Sequence, residues 1–319
     1  MFYGIGYTGL PNPSGANLEL LEDGTALLYT GCADIGQGSD TVLAQIVSEE
    51  LGLNFNKVLV VSADTGRTPN SGPTSASRQT FISGNAALNA AKSIRAILNE
   101  KASALLEVNV GDLIFKEEKI YVKIDPDKHI SLLEVIKACN QDGILTFSTG
   151  WFNPDTTSID IETGEGKPYA TYAYATQYAE VEVDTDTGEV KVNKLIAAHD
   201  VGKAINVQLV ESQVEGGCIM GLGYALMEEL ILEKGIIANP NFKNYIIPTA
   251  HDIPSIISVN IVEDLEKSGP FGAKGVGEPA LIPTTPAVIN AISNALGIRF
   301  YDCPVTPEKI INALHNCLD

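Results

Sequence analysis

Two stretches far apart in this 319-residue chain read alike, and that repetition limits the fold more than any other feature. Leu18 to Tyr29 alternates apolar and polar residues about Glu22-Asp23-Gly24, and Tyr178 to Leu195 does the same about Asp184-Thr185-Asp186-Thr187-Gly188. Apolar positions at Leu18, Leu20, Leu27 and Tyr29, and at Val181, Val183, Val190 and Val192, predict half-buried strands joined as hairpins. Each hairpin leads into a similar turn, Ala33-Asp34-Ile35-Gly36-Gln37-Gly38 in one case and His199-Asp200-Val201-Gly202-Lys203-Ala204 in the other. A helical pattern follows each turn, with Val42, Leu43, Ile46, Val47 and Leu51 inward in the first, and Val210, Val214 and Gly217 in the second, which runs near Val207 to Met227. Strands are expected at about Val58 to Val61 and Ile256 to Val262, and a further helix at about Gly84 to Leu98. The fold class is therefore α+β, built as two related subdomains of mixed sheets with helices. Asn153 to Lys167, rich in Asp, Thr, Gly and Pro, is the natural break, so the subdomains are set at 1–150 and 151–319.

Composition removes several functional classes. Forty acidic residues against 21 basic give a net charge of -19, and no Lys/Arg stripe stands out, which argues against nucleic acid or an anionic membrane as partner. Cys32, Cys139, Cys218, Cys303 and Cys317 are odd in number and widely spaced, with no CxxC or Cys/His pairing for zinc or iron-sulfur clusters. They read as free thiols of a reducing cytoplasm. No basic leader precedes Tyr3-Gly4-Ile5-Gly6-Tyr7 and no run reaches a membrane span, so a soluble cytoplasmic protein is expected.

Four stretches could carry chemistry. Lys274-Gly275-Val276-Gly277-Glu278-Pro279 sets one carboxylate in a Gly-rich turn: Gly272, Gly275 and Gly277 permit positive φ and close approach, and Pro279 biases Glu278 away from helix and toward a loop. Beyond it, Thr284 or Thr285 caps a helix with Pro286 first and Gly297 at its end. Gly36-Gln37-Gly38 precedes a helix start where backbone N–H groups can meet a phosphate or pterin and an amide can both donate and accept; a tight structural turn is the other reading. Ser75-Ala76-Ser77 with Arg78 and Gln79 forms a hydroxyl and amide cluster that either holds an anion or caps the next helix. The glycines from Gly216 to Gly223, costly inside a helix, mark close approach, either of a ligand near Gln213 or of a neighbouring helix. His199 and Asp200 are adjacent on an extended chain and so face opposite ways, which discourages a triad.

Taken together and in this order, these motifs resemble the molybdenum-binding subunit of the xanthine dehydrogenase and aldehyde oxidase family of molybdenum hydroxylases. The match covers nearly the whole chain but only the C-terminal half of a typical subunit. It resembles the split arrangement of the medium molybdopterin subunit in bacterial nicotinate dehydrogenase, with an expressed fragment as the alternative. The resemblance implies a molybdopterin cofactor, in relatives commonly the cytosine dinucleotide form, with molybdenum held through the pterin dithiolene and not by protein ligands. It makes Glu278 the catalytic general base. Gly36, Gln37, Gly38, Ser75, Ala76, Ser77, Gln79, Gln213 and Gly277 become cofactor-binding positions, and Tyr7 a substrate-contacting aromatic. It further implies a second molybdopterin-binding subunit supplying the N-terminal half, together with iron-sulfur and FAD subunits that carry electrons away. The expected reaction is hydroxylation of a nicotinate-like N-heteroaromatic with oxygen from water. A purine or aldehyde enzyme, a CO dehydrogenase or a non-catalytic assembly module are the alternatives; Ser75, Arg78 and Gln79 depart from the purine-oxidising pattern.

Overall fold

A computed structural model describes residues 1–7 and 11–316. One mixed sheet is built from β2 (Ser14–Leu20), β3 (Ala26–Thr30), β4 (Val58–Ser62) and β8 (Phe147–Phe152), in the order β4-β3-β2-β8. A second contains β1 (Phe2–Gly4), β9 (Tyr172–Val183), β10 (Val190–Asp200) and β13 (Ile256–Val262), in the order β1-β9-β10-β13. The two are topological copies. In each, a hairpin (β2-β3, β9-β10) is followed by a helix and then by a strand that pairs parallel with the second hairpin strand. Gly24 and Gly188 take positive φ in the two hairpin turns, as the Asp-Gly and Thr-Gly signals require.

The helices are α1 (Ser39–Leu51) and α2 (Gly84–Leu106) in the first copy, α4 (Val207–Leu226), α5 (Glu278–Leu281) and α6 (Thr284–Leu296) in the second. A π-helical turn, Gln79–Ser83, runs directly into α2. Leu18, Leu28, Leu43, Ile46, Ile94 and Leu98 seal the first core with no exposed surface or almost none, each contributing roughly 1.5–3 kcal/mol of hydrophobic burial. Leu195, Ala197, Val214, Cys218, Leu222, Val288 and Ile292 seal the second.

A small antiparallel sheet, β5 (Leu113–Lys116), β6 (Lys119–Val122) and β7 (Asp125–Ser131), packs with α3 (Leu132–Gln141) onto the first core. Residues Leu232–Glu233 (β11) and Ile236–Ile237 (β12) pair as a short hairpin, and α7 (Pro307–Asn316) closes the second core through Ile310. None of these was visible as an element in the sequence pattern.

Two placements depend on tertiary structure. β1, at the start of the chain, joins the second sheet by pairing Tyr3 with Ala173, while β8 crosses residue 150 to complete the first. The parallel strands β4 and β13 each lead into a connection of the same length, 63–83 ending in the π-turn and 263–283 carrying α5, before α2 and α6. Gly72 and Gly272 hold positive φ at matching places in these loops. Cys32, Cys139, Cys218 and Cys303 are unpaired, and Cys317 lies outside the described residues. Among the described residues no helix is long and apolar enough to cross a membrane.

Candidate active site

The two matched loops meet each other, and their meeting point builds the site. Ala76 and Ser77 both take positive φ, an arrangement that costs a side-chain-bearing residue about 1–3 kcal/mol and persists only where surroundings enforce it. The enforcement is visible. The Ala76 carbonyl accepts from Gly6 N–H at 2.9 Å, and the Ser77 carbonyl lies where any Cβ on Gly275 would collide with it. Ser77 Oγ in turn accepts from the backbone N–H groups of Gly277 and Glu278 at 3.2 and 3.1 Å, and its hydroxyl donates to Glu278 Oε2. Close approach, and not positive φ, is what Gly275 supplies; of the three glycines read in this stretch only Gly272 takes positive φ.

Glu278 departs from the loop expected of it. It is the first residue of the one-turn helix α5, with Gly277 as N-cap. Pro279 tolerates this because, in the first turn, no intrahelical partner is lost with its missing N–H. Pro286 likewise sits inside α6, not at its first position: α6 begins at Thr284 after Pro283, although Gly297 ends it in the left-handed region as expected.

Glu278 faces a cavity of about 220 Å³ whose wall draws on both copies. Ile35, Val42, Ile205, Leu209, Val210 and Val276 make apolar surface there, and Gln37, Ser75, Ser77, Gln79, Gln213 and Gly277 bring polar groups. Seven of the eleven sequence-derived positions therefore share one chamber. Gly36, Gly38, Ala76 and Tyr7 do not line it. Gly38 N-caps α1 in the left-handed region, where a Cβ would come within 2.8 Å of Leu209. Tyr7 shares a 2.6 Å hydrogen bond between its hydroxyl and that of Ser75.

Several side chains are committed elsewhere. The carboxylate of Asp34 accepts from Gly36, Gly38 and Asp40 N–H at 2.8, 3.4 and 3.1 Å, so the α1 start read as an anion seat is already filled from within. Burial pushes the Asp34 carboxyl up, but these backbone donors outweigh it and hold it below the usual range. Gln37 is spent on its own turn, accepting from Ile35 N–H at 2.7 Å and donating to Ser39 Oγ at 2.9 Å. Gln79 donates to Thr74 Oγ1 and accepts from Ser83. Gln213, in the middle of α4, is different, since its side-chain amide makes no hydrogen bond among the described residues.

Arg78 corrects the sequence reading most. Its side chain is fully buried, and its donors go to Asn12 Oδ1 and to the carbonyls of Ser71, Pro73, Asn12 and Pro13. It pins the loop and has no N–H left for an anion. Burial without a carboxylate partner lowers its pKa. Nor does the cluster cap a helix: neither the π-turn nor α2 receives a side-chain cap. On α4, Gly217 and Gly221 admit Ala280 and Thr284 of the facing helices, so helix packing is the cause of those glycines.

The floor of the chamber is a buried ion pair. Lys274 Nζ donates to Asp200 Oδ2 at 2.6 Å, both side chains under a tenth exposed, and Gly202 N–H donates to Asp200 Oδ1. Gly202 and Ala273 bridge the two backbones beside it, which docks the Gly-rich loop on the end of β10. Lys203 is also engaged, with Glu263 at 2.9 Å.

A family model described as the molybdopterin cofactor-binding domain matches residues 1–254. The chain belongs to the molybdenum hydroxylase family. It is 30% identical to the putative xanthine dehydrogenase molybdenum-binding subunit XdhA of Escherichia coli, over 95% of this chain and 39% of that protein. It is also 30% identical to the 6-hydroxypseudooxynicotine dehydrogenase complex subunit gamma of Paenarthrobacter nicotinovorans, over 97% of this chain and again 39% of the relative. In structure it is similar to quinoline 2-oxidoreductase from Pseudomonas putida 86, with a TM-score of 0.88, 26% identity, and coverage of 98% of this chain and 40% of that one. The chain thus spans about two fifths of the length of these relatives.

The chamber fits the family's cofactor on its own terms. A pterin is a flat heterocycle edged with donors and acceptors, and it suits apolar walls with an uncommitted amide such as Gln213 and a glycine cradle opposite. Sequence reasoning passed over two residues beside the chamber: Lys274 and Asp200 lay inside quoted motifs, but their pairing needs the third dimension.

Proposed function

We propose that this chain is part of the molybdopterin-binding component of a molybdenum hydroxylase, with Glu278 as the general base. The carrying observation is the Glu278 carboxylate held by Ser77 at a chamber walled from both copies. In this reading each half of the chain, 1–150 and 151–319, is a molybdopterin-binding subdomain. The Gly36-Gln37-Gly38 turn, Ser75-Ala76-Ser77, Gln79, Gln213 and Gly277 hold the pterin, in its cytosine dinucleotide form, Gln213 through its free amide and the others chiefly through the shape of their loops. When bound, the cofactor supplies the redox centre at which an electron-poor ring carbon is hydroxylated with oxygen from water. Glu278 takes up the proton released from that water, beside an apolar wall that includes Ile205, Leu209 and the buried Val210.

Relatives named for quinoline and for 6-hydroxypseudooxynicotine support a nicotinate-like N-heteroaromatic as substrate, to which Tyr7 contributes only through the hydroxyl of Ser75 that it holds. Because the chain spans only part of its relatives, the reading includes a second molybdopterin-binding polypeptide and iron-sulfur and FAD subunits as partners. The test is Glu278→Gln in the assembled complex. Turnover falls by ~10²–10⁴-fold with molybdenum content unchanged, the range for loss of a positioned general base; turnover close to wild type would end the assignment.

A further inference from the structure

Glu278 sits on a helix too short to hold itself. α5 is a single turn, closed by the Ile282 N–H donating to the Glu278 carbonyl at 3.3 Å, and so it depends on what grips it from outside. Ser77 holds its N-terminal end through the N–H groups of Gly277 and Glu278. The other end is held from the second sheet. Gln177 of β9 donates its amide to the Ala280 carbonyl at 3.0 Å, one of the acceptors that a helix end leaves unpaired, and its Oε1 accepts from the hydroxyl of Thr284 at the start of α6. Gly217 of α4 completes the seat, since a Cβ there would come within 2.5 Å of the Ala280 Cβ. Resting on the reading of Glu278 as base, we propose that Gln177 is a positioning residue for Glu278, clamping the far end of α5, with a neutral His199 setting the direction of its amide.

The role of His199 follows from donors and acceptors. The Ala280 carbonyl can only accept, so the NH2 group of Gln177 must face it, and the second hydrogen of that group then meets His199 Nε2 at 3.1 Å. A ring nitrogen that accepts carries no proton. His199 is therefore neutral with its proton on Nδ1, an atom sealed from solvent and without a hydrogen-bond partner among the described residues. Register brings the two side chains together: Gln177 lies opposite Ala197 and His199 opposite Ala175, which makes them diagonal neighbours on one face of the β9-β10 pair, while Asp200 turns the other way to Lys274. Burial first, and then the N-terminal ammonium, lower the His199 pKa to about 4, in keeping with a ring that only accepts at Nε2. An imidazolium would present an N–H to the amide, and the amide could answer only by turning its oxygen against the Ala280 carbonyl. Held at one end alone, the turn could pivot about Ser77 and carry the carboxylate with it, and a displacement of about 1 Å at a reacting group can cost ~10²-fold in rate.

The test measures the turn and the turnover separately, both in the assembled complex. Hydrogen–deuterium exchange of the peptide carrying α5 is expected to speed up by roughly tenfold in Gln177→Leu and by less in His199→Leu, as for a local opening that has lost one hydrogen bond. His199→Gln, whose Oε1 takes the place of Nε2 as acceptor, recovers most of the protection that His199→Leu loses. In Gln177→Leu kcat falls by roughly ten- to a hundredfold while KM and molybdenum content hold. The double variant Gln177→Leu/His199→Leu is no worse than Gln177→Leu alone, because His199 acts only through the amide. Wild-type exchange in Gln177→Leu overturns the proposal whatever Glu278 does in turnover. So does an unchanged kcat in Gln177→Leu beside an inactive Glu278→Gln, a result that leaves the base in place and removes the clamp. Losses that add in the double variant, or that appear only together with lost molybdenum, also overturn it, since they mark a merely structural role. Faster exchange in Gln177→Leu with an active Glu278→Gln leaves the clamp standing and removes the base.

Discussion

Replacing Lys274 with Met isolates what the buried ion pair contributes. The substitution keeps most of the stem volume and removes the ammonium, leaving the Asp200 carboxylate, 7% exposed, with the single N–H of Gly202 as its donor. Removing one partner of such a pair costs about 3–5 kcal/mol, because the surviving charge cannot regain its water. For a chain of this size, at about 2.1 cal/mol/K of unfolding entropy per residue, each kcal/mol moves the melting temperature by about 1.5 °C, which puts the expected fall at about 4–8 °C. Differential scanning calorimetry of wild type and Lys274→Met in the same buffer gives the number directly. The double variant Lys274→Met/Asp200→Asn adds the necessary control, since Asn still accepts from Gly202 and carries no charge. It is expected to recover more than half of the loss. If Lys274→Met melts with wild type, or if the double variant is no better than the single, charge burial is not what the pair contributes and the reasoning fails.

Two further outcomes are expected. Arg78→Lys is not conservative here: a lysine offers three donors on a point charge where five acceptor contacts on a planar fork are now met, so unfolding free energy drops by ~2 kcal/mol or more in a urea titration. His199, 1% exposed, has its pKa lowered to about 4 by burial and, secondarily, by the N-terminal ammonium. The unfolded chain binds that proton near pH 6.5 and the folded chain does not, so this contribution is complete above about pH 6.5 and is lost as pH falls toward 4, by up to ~3 kcal/mol. Urea midpoints of wild type and His199→Gln, compared between pH 7 and 4.5, are expected to show the steeper decline in wild type.

Much of the site could be read along the chain, and the reason is local. Strand alternation, the turn glycines and the strand at Ile256–Val262 follow from spacing alone, and their positions agree with the structure. The helical stretches at Ser39–Leu51 and Val207–Leu226 likewise carry their own period. What spacing could not carry was partnership. Arg78 reads as an available cation until five oxygens from two segments surround it, and Gln37 reads as a cofactor amide until its own turn takes both ends. Glu278 was placed correctly beside its glycines but assigned to a loop, because the bias that proline imposes on its predecessor was outweighed by Ser77 receiving the first N–H groups of α5. The strands β5, β6 and β7 were missed because their exposed faces are rich in charge and dilute the alternation.

The exchange of β1 into the far sheet has a mechanical consequence. A break in the backbone between residues 155 and 167 would leave a first fragment whose opening strand is still laddered to β9 of the second, with Asn206 still bonded to Gln45 and Asn85 to the Ser268 carbonyl. The halves are clasped as well as tethered. Tension on the first strand is passed straight to β9 of the far sheet, so the edge of one sheet acts as the latch of a chamber built by two.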